Sequence, residues 1–194
     1  MKTKVIVLAA GRSSRMGSNK LLLRLDSKTI IEHILDILIG YEIIVVTGHR
    51  AGDIETIVKK HGAQIVQNPA YDRGMSTSFQ TGLSLVEHYV DAVFMVLSDT
   101  FGFKSSLLDE MVEKMDSTGA LLVSPVYGGK RGHPILVSRR LFREFLNIRE
   151  DETMKDIVQR HEREHEYVKG DIWTVIDLDT PDDYAKVKKL WATR

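Results

Sequence analysis

The residues best suited to chemistry lie in a loop near the start of the chain. Residues 8–17 read LAAGRSSRMG, and a lysine follows at Lys20. Glycine and serine in such a loop allow backbone N–H groups to face phosphate oxygens, and Arg12, Arg15 and Lys20 would add cationic donors. The spacing matches neither the P-loop nor the G-x-G-x-x-G dinucleotide pattern. The segment predicts a phosphate-binding loop, and a solvated basic turn is the alternative that these residue types leave open.

Acidic residues follow two later segments. Asp99 comes directly after an apolar run, and an acid at the carboxyl end of a buried strand is well placed to hold a metal. A turn aspartate is the alternative. Near the end of the chain, Thr180 and Asp183 suit the caps of a helix, which leaves Asp177 and Asp179 on the incoming loop without a capping role.

Other polar residues have simple structural explanations as well. Ser76 and Ser78 follow Gly74 at a helix start, where hydroxyl groups act as caps without any ligand. His133 precedes Pro134 in a glycine-rich stretch, which is typical of a turn. Taken alone, these residues do not indicate a site.

The elements that must position these residues alternate between strand and helix. Apolar, β-branched runs typical of buried strands lie at Lys4–Ala9, Glu42–Thr47, Gln64–Gln67, Ala92–Leu97, Leu121–Val126 and Ile172–Ile176. Helical patterns lie at Thr29–Ile39, Asp53–His61, Met75–His88 and Ser106–Met115. This alternation predicts an α/β fold with a mainly parallel sheet and right-handed crossovers.

The second half of the chain is less regular. A glycine-rich turn before Pro134–Val137 predicts a hairpin appended to the main sheet. Ser138–Leu146 and the charged segment Asp151–Glu166 both read as helices, the latter on the surface. A last helix begins at Thr180 and runs to about Leu190.

Composition narrows the class of protein. A length of 194 residues predicts one domain, residues 1–194. Lysine plus arginine equals aspartate plus glutamate at 27 each, which argues against nucleic acid as the main partner. The absence of cysteine excludes disulfides and a cysteine nucleophile and fits a reducing, cytoplasmic location. No run approaches the roughly 18–20 apolar residues of a membrane span, so no membrane association is expected.

In order along the chain, five segments resemble motifs of the MobA-like NTP transferases. The family signature L-A-[AG]-G-x-S-x-R-M-G-x-x-K matches residues 8–20 at every position. Further matches are N-P-x-x-x-x-G-[ML]-x-x-S at 68–78, Y-x-G-x-x-G-H-P at 127–134 and D-x-D-T-P-x-D at 177–183. The segment at 97–101 resembles L-G-D-x-P imperfectly, because Ser98 replaces the glycine and Thr100-Phe101 replaces the usual Gln-Pro.

The resemblance implies a Rossmann-like three-layer α/β/α sandwich and Mg²⁺-dependent transfer of a nucleotidyl group from a nucleoside triphosphate to a phosphorylated acceptor. It implies that Arg15, Lys20 and Asp99 act in catalysis, with Asp99 and Asp179 on the metal. His133 would contact the acceptor. The nucleotide would be bound by Leu8, Ala9, Ala10, Gly11, Arg12, Arg15, Lys20, Asn68, Gly74, Ser76 and Ser78.

Within the family, the chain is most similar to molybdenum cofactor cytidylyltransferases, which implies CTP and molybdopterin as substrates and transient contact with molybdoenzymes or their chaperones. Ala10 supports CTP, since guanylyl-transferring members usually carry glycine there. The alternatives are a GTP-dependent or sugar-phosphate nucleotidyltransferase, or a nucleotide-binding regulator without turnover, which the altered segment at Ser98–Phe101 suggests. Lys20, on a glycine-containing loop, is expected to be exposed, with little packing to lose.

Overall fold

The computed structural model describes residues 1–149 and 151–194. The strands are β1 Thr3–Ala9, β2 Arg24–Leu25, β3 Lys28–Thr29, β4 Glu42–Thr47, β5 Gln64–Gln67, β6 Ala92–Leu97, β7 Leu122–Tyr127, β8 Lys130–Arg131, β9 Ile135–Ser138 and β10 His165–Lys169. The α-helices are α1 Ile30–Ile37, α2 Gly52–Lys60, α3 Met75–Leu83, α4 Ser106–Thr118, α5 Phe142–Leu146, α6 Met154–Arg160 and α7 Pro181–Trp191. Short 3₁₀ helices lie at Lys20–Leu22, Tyr71–Arg73, Arg139–Leu141, Glu162–Glu164 and Ile172–Thr174.

The main sheet has the strand order β10-β7-β9-β6-β1-β4-β5, with β8 paired to β7. Strands β6, β1, β4 and β5 run parallel to one another, and β10 runs parallel to β7. Strand β9 is antiparallel to both of its neighbours. Strands β2 and β3 form a separate antiparallel hairpin. The mainly parallel sheet confirms the predicted α/β fold class.

The side chains of β1 show why helices cover both faces of the sheet. Val5 and Val7 belong to a buried cluster formed with α1, α2, α4 and α7. Ile6 and Leu8 belong to a second cluster formed with α3, α5 and α6. Because successive side chains of a strand point to opposite faces, a continuous apolar strand requires a helical layer on each side. The result is the three-layer sandwich.

The prediction of a hairpin appended to the main sheet was wrong about the position of strand β9. Strands β7 and β8 do form a hairpin, but β9 lies inside the sheet between β6 and β7. Leu136 packs into one buried cluster and Val137 into the other, and neither has any exposed surface. A strand that is apolar on both faces is stable only where both faces are covered.

The segment predicted as a surface helix at Asp151–Glu166 is also different. Helix α6 ends at Arg160, a 3₁₀ turn follows, and the chain enters strand β10 at His165. The predicted strand at Ile172–Ile176 is instead a 3₁₀ turn, because the Asp171 side chain accepts a hydrogen bond from Trp173 N at 2.9 Å. A side-chain bond of this type offers the backbone an alternative to a strand ladder.

Helix α3 is shorter than predicted, since it ends at Leu83 and not at His88. Beyond it, the backbone forms separate turns, in which Val86 N donates to Leu83 O at 3.1 Å and Val90 N donates to Glu87 O at 3.1 Å. These turns bring the chain back to the start of β6.

Across the described ranges, the helices are all too short or too polar to cross a membrane.

Candidate active site

The carboxyl ends of β1, β4 and β6 meet at one edge of the sheet, and an open cleft of about 670 Å³ lies beyond them. This is the edge at which ligands bind in open α/β sheets. The cleft is lined by Leu8, Ala10, Gly11, Arg12, Lys20, Tyr71, Asp72, Gly74, Met75, Ser78, Leu97, Ser98 and Asp99. Eight of the residues predicted from sequence are therefore brought together here.

The loop after β1 is shaped by its own polar side chains. Ser13 adopts a positive φ of 49°, and its hydroxyl accepts a hydrogen bond from Lys20 N at 3.3 Å. The Asn19 side chain accepts from Leu21 N at 3.1 Å and so begins the 3₁₀ turn that carries Lys20. These local bonds direct Lys20 inwards, whereas the Arg15 side chain stays largely exposed.

Lys20 lies between two carboxylates. Its Nζ is 3.1 Å from Asp99 Oδ2 and 3.2 Å from Asp179 Oδ1. Arg15 Nη2 lies 2.7 Å from Asp179 Oδ2. Lys20 is only 9% exposed, so the expectation of an exposed lysine with little to lose was wrong. The ammonium is buried because two acidic neighbours compensate its charge.

Asp179 is free to face Lys20 because other residues cap α7. The Thr180 hydroxyl accepts from Asp183 N, and the Asp183 carboxylate accepts from Thr180 N at 3.0 Å. Asp183 also accepts from Asp179 N at 3.3 Å, which fixes the backbone before the helix. The predicted capping by Thr180 and Asp183 is thus confirmed, and Asp177 remains exposed on the same loop.

The two carboxylates offer oxygen ligands of the kind that a divalent cation shares with a phosphate-bearing ligand. No group of three or more His, Cys, Asp or Glu residues suited to a metal is found in the part of the chain that the structure describes. Mg²⁺ is commonly held by one or two carboxylates, with phosphate and water oxygens as the other ligands. Asp99 and Asp179, on either side of one lysine at the cleft, match that donor set.

The loop between β5 and α3 is organised by Asn68, which is itself buried. Its amide donates to Thr77 Oγ1 at 2.9 Å and to Ser78 Oγ at 3.0 Å, and its carbonyl accepts from Ala70 N at 2.9 Å. Gly74 adopts a φ of 110°, a conformation open to glycine. Asn68 therefore holds Ser78 at the cleft without lining the cleft itself.

Several residues predicted from sequence lie apart from the cleft lining. Ala9 packs into the buried cluster on the opposite face of β1 from Leu8. Ser76, in the first turn of α3, is not among the residues that form the cleft wall. Arg15 and Asp179 connect to the cleft through Lys20.

His133 reaches the same region because β9 is antiparallel to β6. The residues before β9 therefore lie at the edge where β6 ends, and His133 N donates to Thr174 O at 2.8 Å. Burial lowers the pKa of His133, and the negative charge of Asp99 opposes that shift. The imidazole Nδ1 is buried without a hydrogen-bond partner among the described residues.

One residue of the altered segment after β6 lines the cleft, and another lies in the core. Ser98 lines the cleft, but Phe101 is fully buried, with its ring 5.9 Å from that of Trp173 and 6.1 Å from that of Trp191. Gly102 has a φ of 83°, and a Cβ atom there would lie 2.8 Å from the Trp173 ring. Phe101 thus has a packing role that explains its departure from the family motif.

Five cleft residues were missed by the sequence interpretation: Tyr71, Asp72, Met75, Leu97 and Ser98. All five lie inside segments that resemble family motifs. Three of them, Tyr71, Asp72 and Ser98, occupy positions where the motif either allows any residue or differs from this chain. Their types therefore carried no signal, although their places in the motifs did.

A mainly parallel sheet with a glycine-containing loop and paired carboxylates at its carboxyl edge is an arrangement suited to binding a phosphate-bearing ligand. The chain belongs to the MobA-like NTP transferase family, whose model matches residues 5–165. The molybdenum cofactor cytidylyltransferase of Escherichia coli (strain K12) is 29% identical over 191 residues, which cover 95% of this chain and 94% of that protein.

Solved structures agree on the fold. Rv0371c from Mycobacterium tuberculosis H37Rv is similar with a TM-score of 0.84 and 25% identity, covering 97% of this chain and 98% of that chain. A structure of Rv0371c in complex with manganese gives a TM-score of 0.80 and 22% identity, covering 97% of this chain and 99% of that chain.

Proposed function

We propose that this protein is a CTP:molybdenum cofactor cytidylyltransferase. The observation that carries the proposal is the placement of Lys20 between Asp99 and Asp179 beside the cleft. The identity to the Escherichia coli cytidylyltransferase extends over nearly the full length of both chains and supports the same substrates, CTP and molybdopterin.

In the proposed reaction, a phosphate oxygen of the acceptor attacks the α-phosphorus of CTP in line. A new P–O bond forms, the bond to the bridging α–β oxygen breaks, and pyrophosphate leaves with that electron pair. Such chemistry needs positioning and charge neutralisation and no protein nucleophile. Lys20 and Arg15 supply positive charge where the α-phosphate and the leaving pyrophosphate accumulate negative charge.

Asp99 and Asp179 would hold Mg²⁺, which neutralises phosphate charge when bound. The manganese complex of Rv0371c supports a divalent cation in this fold. Ser78, held by Asn68, and the backbone at Ala10 and Gly11 would contact the nucleoside. His133, in its neutral form and close to Asp99, would contact the acceptor.

The test is release of pyrophosphate from CTP and Mg²⁺ with and without purified molybdopterin-bound molybdenum cofactor. Acceptor-dependent pyrophosphate release together with a CMP-linked product supports the proposal. Turnover with GTP instead, or with a sugar phosphate in place of the cofactor, would assign a different nucleotidyltransferase. Tight CTP binding without turnover on any acceptor would assign a regulator. The burial of Phe101 in the core gives one of the altered positions a packing role, whereas Ser98 lines the cleft.

A further inference from the structure

Gly48, the first residue after β4, lies where two walls of the cleft, one with Ala10 and one with Tyr71, approach each other. A Cβ atom at residue 48 would lie 2.6 Å from Tyr71 Cβ, 2.7 Å from Tyr71 Cγ and 2.9 Å from Ala10 Cβ. Carbon atoms pack at about 3.5–4.0 Å, so a larger residue here must displace Tyr71 or Ala10. The atoms concerned are close to the main chain, where a rotamer change gives little relief.

Among the described residues that line the cleft, Tyr71 is the one aromatic side chain. Its ring centroid lies 5.5 Å from the Arg12 guanidinium carbon, within the range of a cation–π contact. The Cβ and Cγ atoms of Tyr71 therefore border the same space as the Ala10 methyl group, and its ring contacts Arg12, another residue of the cleft lining. Its position sets both the width of the cleft and the placement of a cationic donor.

We propose that Tyr71 is a further nucleotide-selecting residue and that Gly48 is a positioning residue that seats it against Ala10. The inference rests on the proposed function, because the cleft is taken to hold a nucleoside triphosphate. Tyr71 contacts the nucleoside by apolar packing, and Arg12 is thereby held towards the phosphates. A methyl group at residue 10 selects the nucleotide together with Tyr71, since both occupy the space over Gly48.

The experiment measures the affinity of CTP and GTP with Mg²⁺ by calorimetry, without acceptor, on the full chain. The variants are Gly48→Ala and Tyr71→Leu. The control is Gly52→Ala at the first residue of α2, where φ is ordinary and no atom lies within 4 Å of the added methyl group. Each test variant is expected to weaken CTP binding about tenfold or more and to reduce the CTP/GTP preference, whereas Gly52→Ala keeps both at wild-type values.

Gly48→Ala also changes a tightly packed position, so thermal melting accompanies the binding data. If that variant does not fold, Tyr71→Leu decides, because Tyr71 is partly exposed and its truncation leaves the core intact. Wild-type affinity and wild-type preference in Tyr71→Leu would overturn the inference.

Failure of the proposed function gives a different pattern. If the wild type prefers GTP, the cytidylyl assignment fails, and the inference is then judged on whether Tyr71→Leu weakens GTP binding and lowers that preference. If the wild type binds neither nucleotide, both the proposed function and the inference are overturned.

Discussion

The Lys20 ammonium donates a hydrogen bond to Asp99 at 3.1 Å, although 79 residues separate the two in the chain. The loop after β1 and the loop after β6 meet in this pair because their parent strands are adjacent and parallel. Asp179 lies 3.2 Å from the same ammonium. One lysine therefore balances two carboxylates, and a change in any of the three alters the charge that the other two experience.

Lys20→Ala is expected to weaken triphosphate binding and slow turnover, and also to lower the free energy of unfolding by about 1–3 kcal/mol, because it leaves two neighbouring carboxylates without their shared cation. Nucleotide titration and chemical denaturation measure the two effects. Lys28→Ala, which removes an exposed lysine paired with Asp36, is the control. Unchanged affinity and unchanged stability in Lys20→Ala would contradict this role.

Asp99→Asn is expected to keep the fold and lose activity by orders of magnitude, because the amide is nearly isosteric but carries no charge for a cation or for Lys20. Asp72→Asn is the matched control, since Asp72 is an exposed carboxylate on the same cleft. Pyrophosphate release is measured for both variants, and for the wild type with excess chelator. Full activity in Asp99→Asn, or in the chelated wild type, would reject the metal site.

His165 makes stability depend on pH. It is 6% exposed, and its Nε2 lies 2.9 Å from the buried Ser124 hydroxyl. Burial, with the nearby positive charge of Arg131, lowers its pKa to about 4, while Glu162 acts in the opposite direction. The folded state thus favours the neutral ring. The contribution of the neutral His165 ring to the free energy of unfolding is fully present above pH 6.5. It is lost as the pH falls towards 4, by about 3 kcal/mol in total.

Denaturant unfolding of the wild type at several pH values between 7.5 and 4, compared with His165→Gln, measures this effect. The variant should lose much less stability than the wild type over that range. His88→Gln, which changes an exposed histidine, should follow the wild-type curve. If stability falls equally with pH in the wild type and in His165→Gln, another group causes the loss of stability at acid pH.

CTP is expected to bind more tightly than GTP, and Ala10→Gly should raise GTP use relative to CTP. The methyl group of Ala10 borders the cleft and narrows it beside the larger purine, an effect usually worth a few kcal/mol at most. Ala9→Gly is the control, because Ala9 points to the other face of β1. Tighter GTP binding by the wild type would reject the cytidylyl assignment while leaving the family unaffected.

The parallel half of the sheet was predictable because its strands are apolar on both faces. The runs at Lys4–Ala9, Glu42–Thr47 and Ala92–Leu97 have no competing helical period, and the structure places strands there. Strand β10 was missed because its sequence, HEYVK, is mostly polar. In this edge strand only His165 is buried, so the sequence has too few apolar residues to be distinguished from the pattern of a charged surface helix.

The site was predictable where motif positions specify a residue and unpredictable where a contact depends on tertiary packing. Gly11 and Lys20 could be found from sequence, but the burial of Lys20 could not, because its acidic partners come from distant loops. The hydrogen bonds of Asn68 could not be predicted from sequence either. Its motif position suggested a nucleotide contact, whereas the structure gives its hydrogen bonds to Ala70, Thr77 and Ser78.

Helix α7 packs against the β2–β3 hairpin, which follows the loop after β1. Tyr184 Oη donates to Arg24 O at 2.6 Å, and Trp191 Nε1 donates to Asp26 Oδ2 at 2.8 Å. Asp179, just before this helix, lies 159 residues from Lys20 in sequence. Synthesis proceeds from the N-terminus, so a growing chain makes the loop that carries Lys20 long before it makes Asp179. A polypeptide interrupted between these two residues therefore lacks one of the two carboxylates that face Lys20.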